Sequence, residues 1–260
     1  MKKSHRLAVA LIFCFVPLVA VAGGYQLKPN EQALFYSLLK DELAVAGAGG
    51  ESLLDYGIPV SVSAAEAAQT YEDNQVAGDQ KYFNKRLLLT GTIAGINSGL
   101  GNVPYITMKA KNQFMPPQVH FDKPNIDRIV QLKKGQKVSF ICTGGGAVAG
   151  TPMFKDCQFG EDYTAAKEVE YKDKAIRFLA GEKLASDDKG VKEISIMSIA
   201  FSRLLPEKSD CFANFDKPPC QKDLGVTSKD KAKLKEMYKV VSDELKALGV
   251  DVPEPEPEKK

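Results

Sequence analysis

The stretch from Lys81 to Phe159 constrains this chain most, because it reads as five short β segments with a turn and a half of helix among them. The first, Arg86–Ile96, is aliphatic and β-branched and is broken by Gly91. A glycine-rich loop, Ile-Asn-Ser-Gly-Leu-Gly-Asn, leads to the second, Val103–Lys109. The third, Gln118–Phe121, follows Pro116 and Pro117. Asn125–Leu132 has a brief helical pattern. The fourth and fifth, Lys137–Thr143 and Thr151–Phe159, flank the loop Gly-Gly-Gly-Ala-Val-Ala-Gly. Short strands punctuated by glycine and proline at this spacing predict a small sandwich or barrel.

A helix between the third and fourth strands favours the five-stranded OB-fold β-barrel, which makes the chain α+β with helical N-terminal and C-terminal extensions. The expected organisation is a signal peptide over 1–22, a helical lead-in over 23–62, the OB-fold domain over 63–159, a helical C-terminal region over 160–252, and a disordered tail over 253–260. Residues 1–22 carry a positive start (Lys2, Lys3, Arg6), an apolar run from Leu7 to Val19, and the small residues Ala20-Val21-Ala22. That three-part pattern predicts cleavage after Ala22 and a periplasmic or secreted protein with no stable membrane span. Cys14 follows the bulky Phe13, which disfavours lipid attachment there. Without the signal the chain holds 32 basic and 33 acidic residues, a net charge of −1.

Four cysteines remain: Cys142, Cys157, Cys211 and Cys220. An even number in an exported chain points to disulfides, and four cysteines allow three connectivities. The local pairing, Cys142–Cys157 and Cys211–Cys220, is favoured because the fourth and fifth strands should be neighbours. Strict alternation leaves a difficulty, since it sets Lys155 on the face of Cys157 and turns Phe154 away. A bulge near Lys155-Asp156 would reconcile these. No CxxC or nearby histidine supports zinc, so no metal and no cofactor is expected.

In the lead-in, Leu34, Phe35, Leu38, Leu39, Leu43 and Ala46 fall at helical spacing, and Gly47–Gly50 stops the run. Ser63 with Glu66 three residues on forms a capping-box pattern for a second helix. Further on, Glu161–Leu184 reads as a surface helix or pair, and Val191–Leu205 as a packed helix ended by Pro206. Cys211–Cys220 would staple the loop that follows, Asp210–Cys220. A last helix starting at Ser228 has one apolar stripe from Leu234 to Leu248, with Gly249 at its C-cap position.

The run Ser63-Ala64-Ala65-Glu66, then Tyr71-Glu72-Asp73-Asn74-Gln75-Val76-Ala77-Gly78-Asp79, Tyr82 and the strand Leu-Leu-Leu-Thr-Gly-Thr-Ile resembles the bacterial OB-fold family called tRNA_anti-like. The resemblance extends to Phe159 through Lys134-Gly135-Gln136-Lys137-Val138 and Lys155-Asp156-Cys157. It implies an OB fold and export, since many members are exported proteins or lipoproteins inferred from sequence. It implies no particular ligand.

Charge is segregated. Lys81–Phe159 holds eleven basic and three acidic residues, a net of +8, whereas Tyr25–Gln80 holds nine acidic and two basic, a net of −7. Either the barrel presents a basic surface to an anionic polymer or head group, or the acidic helices fold against it and cancel its field. An OB fold binds along its second and third strands and their loops. Tyr105, Lys109, Lys111, Phe114 and His120 fall there and are the candidate ligand-binding residues, whereas Phe121 and Phe140 are expected to fill the barrel. No G-x-S-x-G, H-E-x-x-H or P-loop pattern is present, and the runs Gly144–Gly146 and Ser98–Gly101 read as flexible hairpin connections. The chain is therefore expected not to be an enzyme, with no catalytic residue assigned. The expected function is that of an exported OB-fold binding or interaction protein of the cell envelope, its partner an envelope protein or anionic ligand. A binder of an anionic polymer is the first alternative, with single-stranded nucleic acid ranked below envelope polyanions because of export. An assembly factor acting through its helices is the second.

Overall fold

The computed structural model describes residues 24–58, 60–121, 124–227 and 229–253. The predicted signal peptide and most of the predicted tail lie outside the described residues. Six strands form one sheet: β1 (Val60–Ser63), β2 (Arg86–Ser98), β3 (Pro104–Met108), β4 (Gln118–Phe121), β5 (Lys137–Val148) and β6 (Thr151–Phe159). Their order is β1-β2-β3-β4-β6-β5, and β2 also pairs with β5, so β2 to β6 close into a five-stranded barrel. Pairs β1–β2 and β4–β6 are parallel and the others antiparallel. The short helix α4 (Ile126–Ile129), capped by Asn125, connects β4 to β5. This is the OB-fold topology.

β1 was not legible. It is four residues long, and Ser63 both ends it and caps the helix α2 (Ala64–Asp73) by accepting from the backbone N–H of Glu66 at 3.1 Å. The reciprocal half of a capping box is absent, because Glu66 Oε1 instead accepts from Lys81 Nζ at 3.0 Å. Asn74 breaks the helix with extended backbone and caps α3 (Gln75–Tyr82) through Ala77.

The triglycine is strand, not a loop. β5 runs to Val148, and the reversal is made by Ala149 and Gly150, both at positive φ (49° and 84°), as a two-residue hairpin turn requires. Gly144 is needed for close approach, since a Cβ there would lie 2.1 Å from the carbonyl oxygen of Tyr82.

The barrel interior is built from alternate residues such as Leu87, Leu89, Ile106, Val119 and Phe154. Phe121, Phe140 and Phe159 sit there with ring centroids 5.5 to 5.6 Å apart. The predicted bulge is present: the β5–β6 register slips between Ile141–Gln158 and Thr143–Lys155, and Asp156 takes a positive φ of 52°. That extra residue turns Phe154 and Cys157 both inward and leaves Lys155 and Asp156 exposed. It also lets Cys142 bond Cys157, while Cys211 bonds Cys220.

The helices α1 (Pro29–Gly47), α5 (Gly160–Leu179), α6 (Lys189–Ser202), α7 (Pro218–Thr227) and α8 (Lys231–Ala247) share a second core. Glu161–Leu184 is mainly the single surface helix α5, whose inner face buries Tyr171, Ala175, Phe178 and Leu179 in that core. Cys220 lies in the first turn of α7, so part of the predicted loop is helical. Ser228, expected to start the last helix, lies outside the described residues, and Asp230 caps α8. Gly249 has φ 83°, and Val250 N–H donates to Leu245 O at 3.0 Å, closing a Schellman motif. Two barrel residues, Leu88 and Ile141, point away from the barrel into this helical core.

Candidate functional site

Alternation along β3 sends Ile106 and Met108 into the barrel and Tyr105 and Thr107 outward. The ladder continues one residue further, because Lys109 N–H donates to Thr92 O at 2.7 Å, and Lys109 is exposed. Tyr105, Thr107 and Lys109 therefore form one outward stripe. Cross-strand pairing adds Asn97 and Gly95 from β2, and His120 and Gln118 from β4.

Tyr105 and His120 are direct partners. Their rings are nearly parallel, at 8° with centroids 5.3 Å apart, and Tyr105 also lies close to Gly99 in the β2–β3 hairpin. His120 Nε2 lies 3.1 Å from Gln118 Oε1, which, with the amide so oriented, places the imidazole proton on Nε2. Half-burial holds the His120 pKa below its ordinary value, so the ring is neutral near pH 7. Thr107 Oγ1 takes a hydrogen bond from Asn97 Nδ2 and donates to Gly95 O, both at 3.3 Å. The middle of the face is thus polar and nearly flat, because Gly95 has no side chain to raise it.

The five candidate residues are not one cluster. Tyr105 and His120 stack at one end, and Lys109 closes the other end of the β3 stripe. Lys111 and Phe114 stand in the β3–β4 loop, where Phe114 is 84% exposed. Met115, next to it, packs on Gly150 at the β5–β6 turn. Thr107, Gln118 and Asn97 were missed as candidates, although alternation alone puts Thr107 between Tyr105 and Lys109, and Gln118 two residues from His120.

The charges divide in two. Lys81 pairs with Glu66, and Arg128 with Glu161 and Asp162. Lys85 and Arg86 donate to the carbonyls of Gln80 and Asp156, and Lys155 to Asn84. Lys109, Lys111, Lys133, Lys134 and Lys137 have no side-chain partner among the described residues and are all exposed. The acidic lead-in does not cover them: α1 packs into the helical core, and among the described residues the one ion pair joining the acidic stretch to the basic barrel is Glu66–Lys81.

No group of three or more metal-ligating side chains occurs among the described residues, and no helix there is long and apolar enough to cross a membrane. A polar cavity of about 230 Å³ opens between α4, β5 and the start of α5, lined by Arg128, Gln131, Gln136 and Ser139 among others.

The tRNA_anti-like family matches residues 1–158, more than half of the sequence, and the chain belongs to that family. The match takes in α1 and β1 as well as the barrel and stops at the end of β6. A solved structure from Klebsiella pneumoniae subsp. pneumoniae MGH 78578, a "putative nucleic acid-binding lipoprotein", is similar over 38% of this chain and 89% of its own, with 18% identity and a TM-score of 0.33. Comparison with curated proteins finds no match.

Proposed function

We propose that this member of the tRNA_anti-like family is an exported, non-catalytic binding protein that holds an anionic polymer on the outer face of β2, β3 and β4. One observation carries the reading: the outward stripe Tyr105-Thr107-Lys109 joins a stacked aromatic pair to lysines that no carboxylate neutralises among the described residues. Exposed lysines without partners attract anions, and an aromatic platform takes flat ligand groups. Export is supported by the three-part N-terminal pattern and by two disulfides, which persist in oxidising compartments. His120, the sole histidine after residue 22, is hydrogen-bonded to Gln118 and stacked on Tyr105, with no carboxylate orienting it, which supports a binding role over acid–base chemistry.

The test is binding of a labelled oligothymidylate and of a carboxylate polymer, by fluorescence anisotropy across a salt series. The double variant Lys109→Ala/Lys111→Ala should bind more weakly, with a salt slope lower by about 1.4 for a single strand, at about 0.7 per lost contact. Equal binding by wild type and double variant would overturn the assignment of this face.

The second reading, an assembly factor acting through its helices, is tested by substitutions on exposed helix faces, because α1 packs into the helical core and Val62 into the barrel core, so that removing 25–62 would unfold both.

A further inference from the structure

Three residues on three neighbouring strands stand in line across the barrel waist. Thr92 of β2 is the direct cross-strand partner of Lys137 on β5. On its other edge, Thr92 accepts from the backbone N–H of Lys109, which continues the β2–β3 ladder one step past the Ile93–Met108 pair. Directly opposed residues in a ladder point to the same side of the sheet. The row Lys137–Thr92–Lys109 is therefore a single outward line, with the two lysine Cα atoms about 10 Å apart, at two strand spacings.

Two ammonium groups flank one hydroxyl here, and none of the three has a side-chain partner among the described residues. Neighbouring cations add to it: Lys133 and Lys134 lie in the turn that leads into β5, and Lys111 follows Lys109. Long lysine side chains from both flanks can converge above Thr92, so the row offers donors only, from several directions, to one anion. That suits a tetrahedral phosphate, whose oxygens accept on all sides. A planar carboxylate is better matched by the forked guanidinium of arginine, and the row contains no arginine.

We propose that the Lys137–Thr92–Lys109 row is a phosphate-binding site, and that a linear phosphate polymer crosses the barrel here on its way from the Tyr105–His120 end of the outer face towards Lys133 and Lys134. This rests on the outer-face reading above and extends it onto β5, on which none of the five candidate residues lies. Two sources share the chemistry: a single-stranded nucleic acid, and a phosphate chain without bases.

The experiment uses the full disulfide-bonded protein, with oligothymidylate and inorganic polyphosphate of matched charge as probes and a polyglutamate of equal charge as the third arm. Lys137→Ala should weaken binding of both phosphate probes several-fold and lower the oligothymidylate salt slope by about 0.7. Thr92→Val should weaken binding without changing the slope, since it removes a hydroxyl and no charge. Lys85→Ala removes the same charge from a partnered lysine and should leave both unchanged. Thermal midpoints of the variants verify folding, and all the substituted side chains are at least partly exposed. Lys137→Ala behaving like Lys85→Ala would overturn the row. If Lys109→Ala/Lys111→Ala still weakens binding in that case, the outer-face reading survives alone; if neither variant matters, both fall. Polyglutamate bound as tightly as the phosphate probes would overturn the phosphate assignment. Tyr105→Ala separates the sources, weakening oligothymidylate alone where bases stack and neither probe where the chain has no bases.

Discussion

Truncating Leu88 tests whether barrel and helices form one cooperative unit. Leu88 lies between Leu87 and Leu89, which face the barrel interior, and points the opposite way into the core of α1, α5 and α6. It is 2% exposed and pairs across the strands with Ile141, which is fully buried. Leu88→Ala removes the transfer free energy of the lost carbons, about 2 kcal/mol at about 0.8 per methylene, and leaves a cavity that adds to it. The expected loss is about 3 kcal/mol, within the usual range for buried leucine truncations. For a chain of this size that corresponds to a fall of about 6–12 °C in thermal midpoint. Urea unfolding of the non-reduced protein, followed in parallel by far-UV dichroism for the backbone and near-UV dichroism for the packing of the tyrosines in both cores, measures it. One coincident transition is expected in wild type and variant. Val169→Ala, at a 70% exposed position on α5, is the control and should stay within about 0.5 kcal/mol. A Leu88→Ala loss as small as that control would refute the reasoning, because it would mean the helices do not cover this face of the barrel.

Replacing Cys142 and Cys157 together by alanine should cost about 3 kcal/mol from the 15-residue loop, and the Cys211/Cys220 pair slightly less from its separation of 9. Urea midpoints unchanged from those of the oxidised wild type would count against both. His120 should make stability pH-dependent: its folded pKa lies below the ordinary 6.5, so the unfolded chain binds the proton first. Stability is then full above about pH 6.5 and declines as pH falls towards the folded value. Stability against pH should flatten in His120→Gln over that window, and an unchanged profile would reject the burial of His120 as its cause.

Much of the barrel was legible because its signals are local. Gln118–Phe121 and Thr151–Phe159 match their strands residue for residue, each bounded by proline, glycine or a helix start. The bulge at Asp156 could be inferred from a conflict of alternation, since Phe154 and Cys157 cannot share the interior of an unbroken strand. β1 was illegible for the opposite reason: Val60–Ser63 is stabilised by pairing with Leu87–Thr90, and four residues carry too little periodicity to announce themselves. The triglycine misled because glycine marks both loops and close approaches. Only the position of Tyr82 over Gly144 distinguishes them.

The site was less legible than the fold, and the reason is register. A sequence shows which cations are present but not which ones the folded chain neutralises. Eleven basic residues between Lys81 and Phe159 look alike as a composition. In the fold, Arg128 is held by Glu161 and Asp162 from a helix that begins after the barrel ends, and Lys81 is held by Glu66 fifteen residues earlier. The lysines left without partners among the described residues include Lys109 and Lys137, which are 28 residues apart in sequence and are brought to opposite edges of Thr92 only because β2 pairs with β5 on one side and β3 on the other. Closure of the barrel therefore selects the charged surface. A one-residue slip of β5 against β2 would turn Lys137 inward and Val138 out, so the row exists only in the register that sets Thr92 opposite Lys137 and Leu87 opposite Cys142.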